Sequence, residues 1–269
     1  MGKKPRRNNY DSEFKISYSR INAYTFCPFR YKLIYIDNLH TPVNADISFG
    51  HTIHATLEKF HSQKGETWDF LMECYDDSWR SGGFLTPIDA FEYYLRGQKM
   101  LSKYFDTFKQ SDAEILYTEK NFDANIGKYK FIGIIDRIDR YPDGTYEIMD
   151  YKTHAKVWHQ DRVDKDLQLT FYAYACKTIF GFNPDRICIY FLSQNKKIYT
   201  KRTQEDVEKA INISMTAAEQ IAQENWTPNR AHCQQCDFKY KCRNSICKRK
   251  YPTPPKSKEP KLQTKLVIV

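Results

Sequence analysis

The stretch from Gly133 to Lys152, GIIDRIDRYPDGTYEIMDYK, constrains this chain more than any other. Phe131, Ile132, Ile134, Ile135 and Ile138 load the run before the turn with aromatic and β-branched residues. Tyr146, Ile148, Met149 and Tyr151 make the run after it equally apolar. Between them, Pro142, Asp143 and Gly144 suit a three-residue hairpin loop. Proline presets the first φ, aspartate tolerates the second position, and glycine takes the left-handed one. That loop pairs Tyr141 with Thr145, so Asp136 faces Asp150. Alternation along the strand then puts Lys152 on the face of Asp150. Two carboxylates and an ammonium share one small patch. The carboxylates repel unless a cation lies between them, and oxygen donors at partial coordination suit Mg or Mn. A two-residue loop would send the acids to opposite faces. An edge hairpin carrying its charges into water is the alternative reading of the same residues.

The 269-residue chain is long enough for one large domain or two small ones. With 41% hydrophobic and 15% aromatic residues it can build a sizeable core. Its apolar runs fall short of the ~20 residues of a membrane span. The opening MGKKPRRNNYDSEF lacks the apolar centre of a secretory signal. The expectation is a soluble, cytoplasmic protein with no membrane partner. Forty-two Lys and Arg against 33 acids give a net charge of +9, which favours a polyanionic partner, nucleic acid foremost. The excess is localised, because ten Lys and Arg but only two acids lie between Asp237 and Val269. Of eight cysteines, four crowd into the fifteen residues from Cys233 to Cys247. In an intracellular chain such crowding indicates a metal site rather than disulfides. Cys74, Cys176 and Cys188 read as core residues.

Five regions follow. Residues 1–15 read as a basic mobile arm and 16–110 as a helical N-terminal region containing Cys27 and His54. Residues 111–225 read as an α/β core, 226–247 as a cysteine segment, and 248–269 as a basic, Pro-rich disordered tail. Ser17 or Ser19 can cap a helix that ends before Pro28, and Phe29 to Ile36 continue as a turn-rich segment. Residues 37–46 read as a loop, and Ser48 as the cap of a helix from Gly50 to Ser62. Helices are expected over 68–79 and 88–108, and strands over 115–122, 129–140 and 146–152. A helix over 166–180, a hairpin over 187–201 and a long helix over 207–224 complete a mixed sheet flanked by helices.

Asp136 followed by Asp150-Tyr151-Lys152 resembles the PD-(D/E)xK nuclease core, and GIIDRID with EIMDYKT resembles its RecB-like branch. Ile135 stands where the family's nominal proline would be. Gly50 and His54 match the G-x-x-x-H helix of that branch, and Gln168 and Tyr172 match its Q-x-x-x-Y motif. By residue type alone His54 is more often a packed or capping helical histidine than a ligand, and Gln168 with Tyr172 reads as the polar edge of an apolar helix; the resemblance reverses the preference for His54. His51 and His61 have no match and are expected at the surface. The resemblance implies a restriction-endonuclease-like α/β core. In it His54, Asp136, Asp150 and the Tyr151 backbone carbonyl would hold Mg or Mn, with Lys152 beside the scissile phosphate. It further implies Gln168 and Tyr172 as DNA-positioning residues and single-strand exonuclease activity, commonly from the 5′ end. Arg30 and Tyr31 are the expected further DNA contacts.

Cys233-x-x-Cys236-x5-Cys242 is the second signal. With Cys247 it makes a plausible zinc site. The resemblance to iron-sulfur members of the group, CRISPR-associated and AddB-type, instead implies a 4Fe-4S cluster on Cys27, Cys233, Cys236 and Cys242. The expected partners are DNA, foremost single-stranded, and proteins of a DNA-processing complex. A non-catalytic DNA-binding module of the same fold, held by zinc or iron-sulfur, is the alternative.

Overall fold

The computed structural model describes residues 15–41 and 43–247. The expected basic arm, except Lys15, and the Pro-rich tail lie outside the described residues.

Six strands form one mixed sheet in the order β1-β3-β4-β5-β6, with β2 on the outer side of β3. They are β1 (Lys15–Ser17), β2 (Glu114–Ile126), β3 (Tyr129–Arg140), β4 (Tyr146–Lys152), β5 (Arg186–Phe191) and β6 (Lys196–Thr200). The hairpin of β3 and β4 has the three-residue loop. Tyr141 N–H donates to Thr145 O, Gly144 N–H donates to Tyr141 O, both at 2.9 Å, and Gly144 takes φ +85°. The pairing Arg137 with Met149, Ile138 with Ile148 and Asp139 with Glu147 is the one that a three-residue loop dictates.

Helices cover both faces. On one face α1 (Tyr18–Phe26), α7 (Leu167–Ala175) and α8 (Gln204–Ala222) pack against Phe131, Ile138, Ile148, Ile187 and Ile189. On the other, α3 (Ala45–Ser62), α4 (Trp68–Ser78) and α5 (Pro87–Lys109) cover Met149, Tyr151, Cys188 and Tyr190. Helix α3 buries Phe49, Ile53, Leu57 and Phe60, a spacing that sets all four on one stripe. Each such side chain stabilises the fold by about 1.5–3 kcal/mol. Short helices α2 (Pro28–Tyr31), which runs on as a π-turn to Ile36, and α6 (Gln160–Asp164) complete the set. Cys74, Cys176 and Cys188 are buried.

Several expectations are corrected. Helix α3 begins at Ala45, five residues early, because Asn44 caps it: Asn44 Oδ1 accepts from Ile47 N–H at 2.9 Å. Ser48 lies inside that helix, buried, and donates to Gly82 O. Strand β1, three residues long, pairs in parallel with Lys130–Ile132, a non-local contact with no local pattern to announce it. His61 is not at the surface. It is buried, with Nε2 2.5 Å from the Tyr104 hydroxyl.

The topology also creates an opening. Strand β2 occupies one edge of β3 throughout. The other edge is shared by β1 at Lys130–Ile132 and by β4 from Arg137 onward. Residues 133–136 on that edge belong to neither ladder, and there the sheet forks.

Candidate active site

Asp136 stands in the fork. Its Oδ2 accepts the backbone N–H of Tyr151 at 2.7 Å, which continues the β3–β4 connection by one side-chain bond after the ladder has stopped. Asp150 follows Ile148 on the same face of β4 and is 2% exposed. Among the described residues both its oxygens lack a hydrogen bond of ordinary geometry. The Lys152 ammonium lies 2.5 Å from Oδ2 as an ion-pair contact. A buried carboxylate left in this condition is unfavourable unless more positive charge arrives.

His54 comes from the opposite helical layer. Its Nε2 is 3.3 Å from the Tyr151 carbonyl oxygen, and its Nδ1 is 3.1 Å from Glu119 Oε1 and 3.7 Å from Asp136 Oδ2. One ligand atom each from His54, Glu119 and Asp136 lies within 4.8 Å of the others. Glu119 is the member of this group that sequence reasoning misses. It sits on β2 between Thr118, which pairs with Arg137, and Lys120, which pairs with Ile135, and so lies beside Asp136. Its φ of +43° is left-handed, a strained conformation for a non-glycine residue in a strand. The only sequence signal is an acid on the strand paired outside β3, and that register cannot be read from composition.

Burial comes first in pushing the Asp136 carboxyl up to about 7; Asp150 and Glu119 add to the rise while His54 and Lys152 oppose it. Burial disfavours the His54 imidazolium, but Asp136, Glu119 and Asp150 outweigh it and push His54 up to about 9. Burial likewise opposes the Lys152 charge, and Asp150 and Asp136 overcome it to hold the ammonium above the usual lysine range. Three acids, an imidazole and an ammonium thus share one buried cluster, and the oxygen-and-imidazole donor set suits a divalent ion.

Lys152 Nζ also donates to Gln168 Oε1 at 3.4 Å, and Gln168 Nε2 donates to the Tyr172 hydroxyl at 2.6 Å. Gln168 and Tyr172 share one face of α7, as their spacing requires. The Tyr172 ring is itself buried, so its hydroxyl holds Gln168 rather than presenting an aromatic surface. A cleft of 790 Å³ opens in front of Asp136, bounded by Ser17, Tyr18, His51, Gln168 and Phe171.

Arg30 and Tyr31 lie elsewhere. Tyr31 is fully buried, stacked on Trp226 at 5.7 Å and tilted against Tyr35 at 4.9 Å. It is a core residue and offers no face to a nucleic-acid base. Arg30 donates to Asp237 at 2.7 Å and lies over the Phe26 ring. It ties α2 to the cysteine segment. There Cys27, Cys233, Cys236 and Cys242 line one pocket, with Phe26 and His232 among its walls, while Cys247 is outside that lining. Asn229 N–H donates to Cys27 Sγ at 3.3 Å, and Phe29, Leu33 and Phe238 form a small core beside it. Among the described residues no helix is long and apolar enough to cross a membrane.

Comparison with known proteins agrees with this geometry. The chain is 28% identical over 215 residues to one of the subunits of an ATP-dependent helicase/deoxyribonuclease from Clostridium botulinum (Loch Maree). The match covers 62% of this chain but only 18% of that much longer protein. It is 25% identical over 263 residues to the Gene 69 protein of Mycobacterium phage D29, covering 84% of this chain and 95% of the phage protein. A crystal structure of an exonuclease candidate from Eubacterium rectale superposes with a TM-score of 0.55 at 13% identity, covering 94% of this chain and 97% of that one, which is a likeness of fold. The PD-(D/E)XK nuclease superfamily model matches residues 15–243. With the sheet, the forked strand and the paired acids in place over that whole span, the chain belongs to the PD-(D/E)XK nuclease superfamily.

Proposed function

We propose that this chain is a divalent-metal-dependent DNA nuclease that hydrolyses phosphodiester bonds of single strands from an end. The observation that carries the reading is the meeting of Asp136, His54 and Glu119, with the Asp150–Lys152 ion pair beside them, at a 790 Å³ cleft that Asp136 lines. The residues fit a divalent ion: the donors are oxygen and imidazole, and among the described residues the buried Asp150 oxygens have no partner of ordinary hydrogen-bond geometry beyond the Lys152 ion pair. Asp136, Asp150, His54, Glu119 and the Tyr151 carbonyl are the residues that would hold it. When bound, such an ion supplies Lewis acidity and a more acidic water.

The chain's own groups do the remainder. Lys152, kept protonated by its acids, places a fixed positive charge where phosphate oxygens gain charge. Gln168 steers that ammonium, and Tyr172 steers Gln168. The Tyr151 N–H fixes the rotamer of Asp136. The deoxyribonuclease named in the botulinum relative supports a DNA substrate, and that relative's place within a larger enzyme supports an association with other DNA-processing proteins.

The cysteine segment is proposed to carry a 4Fe-4S cluster on Cys27, Cys233, Cys236 and Cys242. The observation behind this set is that Cys27, Cys233, Cys236 and Cys242 line one pocket while Cys247 is outside its lining.

The test is hydrolysis of end-labelled single-stranded DNA with Mg or Mn by the wild type and by Asp150→Ala. Metal-dependent shortening by the wild type alone supports the reading. Equal cleavage by both proteins, or none by either, sinks it.

A further inference from the structure

Six residues after Lys152 the chain carries a tryptophan that the proposed hydrolysis does not use. Trp158 is half-buried, and Lys152 Nζ lies 6.0 Å from its ring centroid. One side of the ring is fixed. His154 stacks on it at 5.6 Å and 25°, and Phe191 meets it edge-on at 5.8 Å and 70°. A further contact comes from the solvent side: the exposed Arg162 places its guanidinium 3.6 Å from the ring centroid. Arg162 makes no hydrogen bond or ion pair with another described side chain.

The segment that carries the ring is held from several directions. Arg96 Nη2 and Ser193 Oγ both donate to Thr153 O, at 2.9 and 2.6 Å, and Gln194 Nε2 donates to Ala155 O. Trp158 is therefore a pre-oriented ring close to the lysine, covered by an exposed guanidinium. Arginine on tryptophan contributes little at an exposed site, and a nucleobase can take the same face while the guanidinium turns to a backbone phosphate.

We infer that Trp158, with Arg162, is a nucleobase-stacking platform that selects unpaired strands at the reacting phosphate. A base inside a duplex has both faces covered by its neighbours and cannot reach the ring. A single strand can present one face. The inference rests on the nuclease reading and deepens it, because it names the structural basis for a single-strand preference.

The test reads binding rather than cleavage. A fluorescent oligothymidylate is titrated by anisotropy, in calcium, into the wild type, Trp158→Ala, Trp158→Phe and Arg162→Ala, each checked by its melting curve. Trp158→Ala is expected to weaken binding about ten-fold or more, and Trp158→Phe by less than about three-fold. Arg162→Ala is expected to lower the salt slope by about one phosphate. An abasic residue at one position of the strand should cost the wild type what Trp158→Ala costs on the intact strand, and add nothing in that variant. Binding of a covalently closed circular duplex should be the same for both proteins. Unchanged strand binding by folded Trp158→Ala, or an abasic loss that adds in full, overturns the platform. Should Trp158→Ala fail to fold, a wild type indifferent to abasic position overturns it equally. A wild type that binds in the expected pattern but never cleaves would end the hydrolysis reading and leave the platform standing. Cleavage by Trp158→Ala at the wild-type KM would do the reverse.

Discussion

The Tyr151 backbone N–H donates to Asp136 Oδ2 across 2.7 Å, at the place where β3 and β4 stop pairing. One carboxylate thus finishes a sheet ladder and faces the candidate metal site at once. Asp136→Asn separates these roles, since the amide oxygen still accepts the bond while the charge is gone. Burial raises the Asp136 pKa in the fold, so its ionised form weakens the apo protein as pH rises through about 7. At pH 8, calorimetry should show Asp136→Asn melting at or slightly above the wild type without metal. It should lose the gain in melting temperature that Mn gives the wild type, and its cleavage should fall at least about 100-fold.

Glu119 reaches His54 only by adopting a left-handed backbone, and such strain persists where the surroundings over-determine it. Glu119→Gln keeps a hydrogen-bond acceptor for His54 and removes the charge. Titration calorimetry with Mn should give an affinity about 10- to 100-fold lower, with the secondary-structure spectrum unchanged. An unaltered affinity would make Glu119 a purely structural neighbour.

Lys152 and Gln168 should separate in kinetics. Lys152→Ala is expected to lower kcat about 100- to 1000-fold with Mn affinity retained. Gln168→Ala, which touches the metal donors only through Lys152, should lower kcat about ten-fold. Single-turnover cleavage measures both, and a Gln168→Ala loss equal to that of Lys152→Ala would refute the indirect role.

His61 gives a pH dependence remote from the acids. Burial first, and then the Arg137 guanidinium on β3, lower it to about 2, well under its ordinary 6.5. The unfolded chain takes up a proton below pH ~6.5 and the folded chain does not, so stability falls as pH drops through that value. The expected slope from this residue is about 1.4 kcal/mol per pH unit between pH 6 and 4. Urea melts of the wild type and His61→Gln should show the variant less stable at pH 8, having a poorer contact to Tyr104, but with a shallower acid slope.

Cys27 is separated from the other pocket cysteines by some two hundred residues, yet lines the same pocket. On anaerobic protein, Cys27→Ser should lose visible absorbance and bound iron, and Cys247→Ser should keep both. A colourless wild type containing zinc would overturn the iron assignment.

The hairpin's loop and register are legible because turn chemistry and strand alternation are local, but its fork is not: the ladder stops at Arg137 and Met149, one pair short of Asp136 and Asp150. Pro142, Asp143 and Gly144 set the loop, and Asp136 and Asp150 follow by counting. His54 needed the resemblance, since nothing in a helical period says that one turn of α3 will reach past the sheet to Tyr151 O. Glu119 and β1 were illegible because both depend on pairing partners far along the chain. Tyr31 misled for the opposite reason. An aromatic beside arginine suits nucleic-acid contact, but Trp226, nearly two hundred residues away, claims its ring for the core.

Helix α1 has Tyr18 in the wall of the acidic cleft at one end and, at the other, meets Cys27 in the cysteine pocket. The carboxylates are supplied by the middle of the polypeptide, but the wall they face is braced by its last described segment. A truncation before Cys233 would retain these acids and the lysine while removing the residues that close the pocket at the far end of that helix.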